Sequence, residues 1–420
     1  RFTKILYFHT VFTGKRRQGP QAQQGPAGAD RLSRRAHQLP AINRSESLLP
    51  FAPGVPDLNA FPWATWARFL HRAWGEVTAR QLAYAEPGGE PDLRRAVAAF
   101  LSARRGVACS PEQVLIVAGG QVALDACARL LADSGDTVWL ENPCYPAARN
   151  VMLAAGLTPV AVDVDRDGMA PASGLWQAAP PRLVYVTPSH QYPLGSVLSL
   201  ERRLALLAGV EAGGGWLIED DYDSDFNHAQ PGARPLPAIQ GLRPEAPVIY
   251  VGTFSKLLYP GLRIAYMVVP RWAASGMGEG IRKLYRGGQA VEQRALARLL
   301  EGGQLTRHLR RMAPVYRERQ AVLRAALQAG FGAGCAVIGG QAGLHLVLRL
   351  PASLPDTALA EAALAQGLAP RPLSAYYVGA TPGNGLVLGY GLTGVARIPE
   401  LVKRLAGVAE TIPKAGSVSA

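Results

Sequence analysis

Cysteine is scarce in this chain. Cys109, Cys127, Cys144 and Cys335 stand far apart, with no pair at metal-ligand or redox spacing. That argues against a zinc or dithiol site, so no metal is expected and the thiols are read as reduced and mostly buried. Long apolar runs are missing too: none approaches the roughly 18–20 residues of a membrane span. The opening Arg1 to Phe12 is basic and then apolar. It is short, contains His9 and lacks a small-residue cleavage site, so it is not read as a signal peptide. A cytoplasmic protein is expected. The chain also lacks an initiating Met, which fits a piece of a longer protein. Acidic residues are outnumbered 31 to 44, and the net charge of +13 would ordinarily suggest nucleic acid. Its distribution weakens that suggestion. Residues 1–48 hold nine basic residues against two acidic ones, a net +7, so the remainder is only mildly basic.

At 420 residues, nearly half of them apolar, the chain can bury a large core. Residues 1–48 read as a basic linker or tail, because the stretch from Lys15 to Asp30 is rich in Gln, Gly and Pro and has little to pack. From Leu49 the texture becomes globular. A helix is expected from Asp92 to Arg104, then the strand Gln113–Ala118, a Gly119-Gly120-Gln121 turn and a helix from Val122 to Leu131. Short apolar runs and helical spacings alternate from there to the strands at Trp216 and Val248. Such alternation predicts an α/β fold, a mostly parallel sheet with helices on both faces. After a long basic helix near Thr306–Ala329, the runs at Gly343 and Gly385 suggest a smaller α+β domain. The expected division is 49–300 for a large domain and 301–420 for a small one.

Two strand ends carry the chemistry. One reads Trp216-Leu-Ile-Glu-Asp-Asp-Tyr-Asp223, the other Val248-Ile-Tyr-Val-Gly-Thr-Phe-Ser-Lys256. In an open α/β sheet ligands collect outside the carboxyl ends of strands. A lysine and a carboxylate brought there suit pyridoxal phosphate, whose aldehyde needs an amine and whose ring nitrogen needs an acidic partner. Lys256 and Asp220 are the candidates, although any of the four acids between 219 and 223 could instead cap a loop. Tyr222 would face the same side as Asp220 if the strand continued, and could bond the ring's phenolate oxygen. Thr253, Ser255 and Arg263 suit a phosphate. So does the turn at Gly120 and Gln121, where free N–H groups open a helix. Within Thr187-Pro-Ser-His-Gln-Tyr-Pro-Leu-Gly195, His190 or Gln191 could meet the ring, and Tyr145 could stack on it.

These motifs, in this order, resemble the fold-type I aminotransferase family, and within it the effector domain of MocR-type regulators of the GntR superfamily. The resemblance spans roughly Phe51 to Glu410. Its most specific parts are Thr-Pro-Ser-His-Gln at 187–191, Glu-Asp-Asp-Tyr-Asp-Ser at 219–224 and Gly-Thr-Phe-Ser-Lys at 252–256. It implies the catalytic set Lys256 as Schiff-base lysine, Asp220 on the pyridine nitrogen and Tyr222 on the phenolate oxygen. It also implies a phosphate cup of Gly120, Gln121, Thr253, Ser255 and Arg263, and a seven-stranded type of sheet. Tyr84 matches a tyrosine that reaches the neighbouring subunit's phosphate, which implies a homodimer with shared sites. Two features depart from the pattern. The winged helix-turn-helix domain of such regulators is not seen, so DNA contact would need a domain outside this sequence. The late strand Gly385-Leu-Val-Leu-Gly-Tyr carries no arginine for a ligand carboxylate; Arg371 and Arg397 are the substitutes, and nothing in the sequence places them. The expected function is sensing of pyridoxal 5'-phosphate or a small amine or amino acid through Schiff-base exchange, with weak or no transaminase activity. The rival is a working aminotransferase converting an amino acid to a 2-oxo acid.

Overall fold

Eight strands form the main sheet: β1 (Val114–Val117), β2 (Thr137–Asn142), β3 (Thr158–Asp165), β4 (Gly168–Met169), β5 (Leu183–Val186), β6 (Trp216–Asp221), β7 (Val248–Thr253) and β8 (Ala265–Val268). They lie in the order β1-β8-β7-β6-β5-β2-β3-β4. The computed structural model describes residues 33–39, 48–84, 86–226, 236–379 and 382–413. The Lys15–Asp30 stretch read as a tail lies outside them. The chain divides into two units, 1–38 and 39–420. The helix described in the first is Arg34–Gln38, and all that follows concerns the second.

Strands β3, β2, β5, β6 and β7 are mutually parallel. β8 runs against both β7 and β1, so β1 points the same way as β7. The mostly parallel sheet is therefore present, with β8 as the reversed strand and the two-residue β4 as an added antiparallel edge. β1, β5 and β8 are buried along their whole length, as strands covered on both faces must be. Two core clusters cover the faces. One packs Leu115, Tyr185, Ile218 and Val251 against the helix Gly120–Leu131; the other packs Trp139, Val184 and Leu217 against the helix Leu200–Gly213.

A second sheet is antiparallel, in the order β11 (Arg371–Pro372), β12 (Gly385–Gly389), β10 (His345–Arg349), β9 (Ala336–Ile338). Between the sheets in sequence runs the 28-residue helix Gln304–Phe331, two residues longer at each end than its periodicity suggests. The Phe51–Asp57 segment runs from the end of β12 to the long helix. Phe51 O accepts from Gly389 N at 2.9 Å, and Asp57 N donates to the Tyr316 hydroxyl at 2.9 Å.

Candidate active site

The carboxyl ends of β1, β2, β5, β6 and β7 converge on one edge of the main sheet, where the sequence motifs sit. Strand β6 extends through Asp221, so the acids begin inside the strand rather than after it. Each acid has its own partner. Glu219, fully buried, accepts from the N–H groups of Ile239 and Gln240 at 2.9 and 3.0 Å and caps the short helix there. Asp221 pairs with Arg105 at 2.7 Å and accepts from the Tyr250 hydroxyl at 2.5 Å. Asp223 lies 3.1 Å from His190 Nδ1. Asp220 accepts from a single neutral donor, the Tyr185 hydroxyl, at 2.7 Å. Three acids are thus committed to cations, helix ends or a histidine, and Asp220 is the carboxylate left for a ligand. Because β6 ends at Asp221, Tyr222 is placed by the following turn and not by strand alternation. Its hydroxyl donates to His190 O at 3.0 Å and lies 3.0 Å from His190 Nδ1.

Lys256 follows β7 and donates from Nζ to Gly54 O at 2.8 Å, which brings the Phe51–Asp57 segment to the site. Burial lowers its pKa, with Asp223 and Asp220 opposing and Arg263 assisting. A depressed ammonium supplies a larger share of neutral, nucleophilic amine. At the start of the helix Gly120–Leu131, Gly119 has φ +99°, and a Cβ there would lie 2.7 Å from Arg263 Cζ. Glycine is what lets the guanidinium lie across a helix start whose first N–H groups have no intrahelical acceptor. Arg263 Nη2 donates to Ala118 O at 3.3 Å, and Thr253 Oγ1 accepts from Ser255 N at 3.1 Å. Gly120, Gln121, Thr253, Ser255 and Arg263 are thereby gathered on the ends of β1 and β7. Tyr145 precedes the helix Pro146–Ala154, and burial pushes its phenol up to about 12. Gln191 braces the loop instead of facing outward: its Nε2 donates to Pro143 O at 2.7 Å and its Oε1 accepts from Leu194 N at 3.0 Å. Tyr84 is 81% exposed and stands apart from this cluster.

Three participants were not singled out by the sequence reading, and a fourth, Arg371, was named there without a place. Tyr192 packs edge-on against Tyr145, Tyr222 and Tyr376, with ring centroids 5.7, 5.5 and 5.4 Å away. Tyr185 holds Asp220; a hydroxyl in the middle of an otherwise apolar strand was the available signal, since a buried phenol needs a partner. Asp223 was one of four acids with no way to rank them. Arg371 is the most consequential. It sits on β11 directly opposite Val387 of β12, so its side chain leaves the same face as the apolar residue found where an arginine was sought. It is buried, and its Nη2 has no hydrogen-bond partner among the described residues.

Burial raises the Asp220 carboxyl to about 7; the Tyr185 hydrogen bond opposes this, Asp221 and Asp223 add to it, and Lys256 opposes. A folded-state pKa raised above the unfolded value gives stability that is complete below about pH 4 and lost as pH rises through about 7. Asp220→Asn removes that loss. The cofactor-free variant should therefore be more stable than the parent at pH 8, by about 1–3 kcal/mol, and alike at pH 4. Thermal melts at the two pH values check this, and an equal or lower stability at pH 8 would show that Asp220 is not a strained carboxylate.

The comparisons with known proteins agree with this geometry. The family model for aminotransferase class I and II matches residues 77–387. The probable rhizopine catabolism regulatory protein MocR of Rhizobium meliloti is 40% identical over 369 residues, which cover 87% of this chain and 74% of that protein. The HTH-type pyridoxine biosynthesis transcriptional regulator PdxR of Corynebacterium glutamicum is 33% identical over 82% of this chain and 72% of that one. Among solved structures, LysN, the α-aminoadipate aminotransferase of Thermus thermophilus complexed with N-(5'-phosphopyridoxyl)-L-leucine, superposes with a TM-score of 0.81. It is 28% identical and covers 91% of this chain and 97% of its own. Matched along most of its length by both the family model and regulators of this kind, the chain belongs to the class I and II aminotransferase family, in its MocR-type branch.

Proposed function

We propose that this chain is the pyridoxal 5'-phosphate-binding effector module of a MocR-type transcriptional regulator, acting in the cytoplasm and sensing the cofactor or a small amine at Lys256. The observation that carries this reading is the half-buried Lys256 amine with Asp220 and Asp223 as its electrostatic neighbours, all at one sheet edge. When bound, pyridoxal 5'-phosphate supplies an aldehyde that condenses with amines and a ring that draws electrons from the attached carbon. The residues present fit that group. Lys256 offers the amine, and Asp220 can hold a protonated ring nitrogen because its one partner is a neutral hydroxyl. The Gly119 cradle under Arg263 is a concave cationic seat for a phosphate dianion. Tyr222 and Tyr145 stand at the phenolate edge and the ring face. His190 and Gln191 hold the loop on the far side of Tyr222.

An amine reaching the site would compete with Lys256 for the cofactor's aldehyde, and Lys256 would then be free to leave its place. Its bond to Gly54 ties that event to the segment running from the end of β12 to the long helix. Residues 301–420 are read as a small domain whose seat changes on exchange, and a helix-turn-helix domain would carry the change to DNA. The exposed Tyr84 supports a homodimer in which it reaches the neighbour's phosphate.

Arg371 favours a second reading. A buried guanidinium with an open donor, beside Tyr192 and Tyr376, can take an α-carboxylate, so a working aminotransferase has the part the sequence seemed to lack. Titration of the purified protein with pyridoxal 5'-phosphate, then with a panel of amines and keto-acid detection, separates the two. The regulator reading expects a visible band that shifts with an amine and no sustained keto acid. Continuous keto-acid formation would establish the aminotransferase instead, and no band at all would defeat both.

A further inference from the structure

His190 was expected to meet the cofactor itself, but the structure surrounds it with protein. It is 1% exposed. Its Nδ1 lies 3.1 and 3.2 Å from the two Asp223 oxygens and 3.0 Å from the Tyr222 hydroxyl. Nδ1 faces both carboxylate oxygens, so it is the ring nitrogen assigned the hydrogen. Nε2 has no hydrogen-bond partner among the described residues, which leaves Nδ1 as the nitrogen in use. The Tyr222 hydroxyl hydrogen points at His190 O, 3.0 Å away, and would turn from there to a phenolate oxygen when the site holds the cofactor. His190 therefore meets the Tyr222 hydroxyl twice: its backbone O accepts from it, and its Nδ1 hydrogen is shared between Asp223 and the hydroxyl oxygen.

The second sheet presses on this grip from behind. His345, on β10, packs against the His190 ring with centroids 4.9 Å apart, and its Nε2 donates to Pro193 O at 2.9 Å. Just before β10, Gly343 has φ +76°, and a Cβ there would lie 2.3 Å from Asp223 Oδ2 and 2.4 Å from His190 Nδ1. Only glycine allows the strand to seat so closely. Side-chain N and O atoms of His190, Asp223 and His345 lie within 4.8 Å of one another; the His190–Asp223 hydrogen bond and the packing of the two imidazole rings bring them together.

We infer that His190 is a positioning residue: braced by Asp223 and by His345 of the second sheet, it sets the Tyr222 hydroxyl and so tunes the phenolate edge of the cofactor. The inference rests on the cofactor reading above and deepens it. It makes the electronic state of the cofactor depend on how β10 is seated, a coupling between ligand chemistry and the second sheet. The titratable groups around Tyr222 are Asp220 of β6, Asp223 of its own turn, His190 and Tyr192 of the loop after β5, and Glu141 of β2. Lys256 acts on Asp220 from the end of β7, and His345 closes the set from β10.

The test is the pH midpoint of the visible absorbance change in cofactor-loaded protein. His190→Gln places its amide at the Nε2 distance and loses the Nδ1 donor; the midpoint should rise by about one unit, a tenfold change in proton affinity. His190→Asn keeps a donor near Nδ1 and should restore the parent midpoint. Tyr222→Phe should raise it at least as far, and adding His190→Gln to Tyr222→Phe should add nothing, because the two act through one hydroxyl. A full extra shift in the double variant would mean that His190 acts on the cofactor directly, and an unmoved midpoint in His190→Gln would also overturn the inference. Should His190→Gln fail to fold, His345→Gln, which keeps an amide for Pro193 O but loses the ring, carries the same test with a smaller rise. A parent protein without a visible band would instead remove the cofactor reading, and this inference with it.

Discussion

Lys256→Ala should abolish the visible band that pyridoxal 5'-phosphate produces in the parent protein, and borohydride treatment should leave no cofactor attached to the chain. The effect is all-or-none, because among the described residues one amine at this edge of the sheet has surroundings that favour the neutral form. Burial lowers the Lys256 pKa, and Arg263 lowers it further against the pull of Asp223 and Asp220. Surface lysines lack that desolvation and stay protonated at neutral pH. The phosphate seat at Gly119 and Arg263 is untouched by the substitution, so the variant should still hold the cofactor weakly and release it on dialysis. Mass spectrometry after reduction reads the outcome directly. A reduced adduct of parent stoichiometry in Lys256→Ala would place the attachment elsewhere and dissolve the argument from the two strand ends.

Arg371→Leu should erase the preference for ligands that carry a carboxylate. Losing a charge-assisted, desolvated contact costs about 3–4 kcal/mol, roughly a 10²–10³-fold loss in apparent affinity. An amino acid should suffer that loss, whereas the matching amine without a carboxylate should bind as before. The comparison is made by absorbance titration of the cofactor-loaded variant, whose visible band also shows that the site is intact. Arg371→Lys should recover only part of the affinity, since an ammonium cannot offer two parallel donors. The free variant should also be no less stable than the parent, because the buried Nη2 has no partner among the described residues to lose. Equal losses for amino acid and amine would show that Arg371 supports the fold around Tyr376 and Tyr192 and does not read carboxylates.

The alternation of β1, β2, β5, β6 and β7 with helices could be read directly, because strands covered on both faces must be apolar throughout and their ends must turn polar. Lys256 and Asp220 were legible for the same reason: chemistry in such a sheet sits where the apolar runs stop. The reversed strand β8 was not picked out. Its Ala-Tyr-Met-Val is as apolar as its parallel neighbours, and direction is a property of pairing, not of composition.

Residue types and their order thus fixed the layer architecture and pointed to the strand ends where the candidate site lies, since both follow from local periodicity and from polar residues interrupting it. Tertiary contact decided the rest. Four acids within five positions look alike until Arg105, Ile239, His190 and Tyr185 arrive from distant segments to claim one each. Arg371, a candidate carboxylate holder that the sequence could not place, gained a place through its register with Val387, and His190 sits behind Tyr222 because Gly343 and His345 close over it. Partner choice among buried polar groups is set by distances between segments far apart in the chain, and no local pattern encodes those distances.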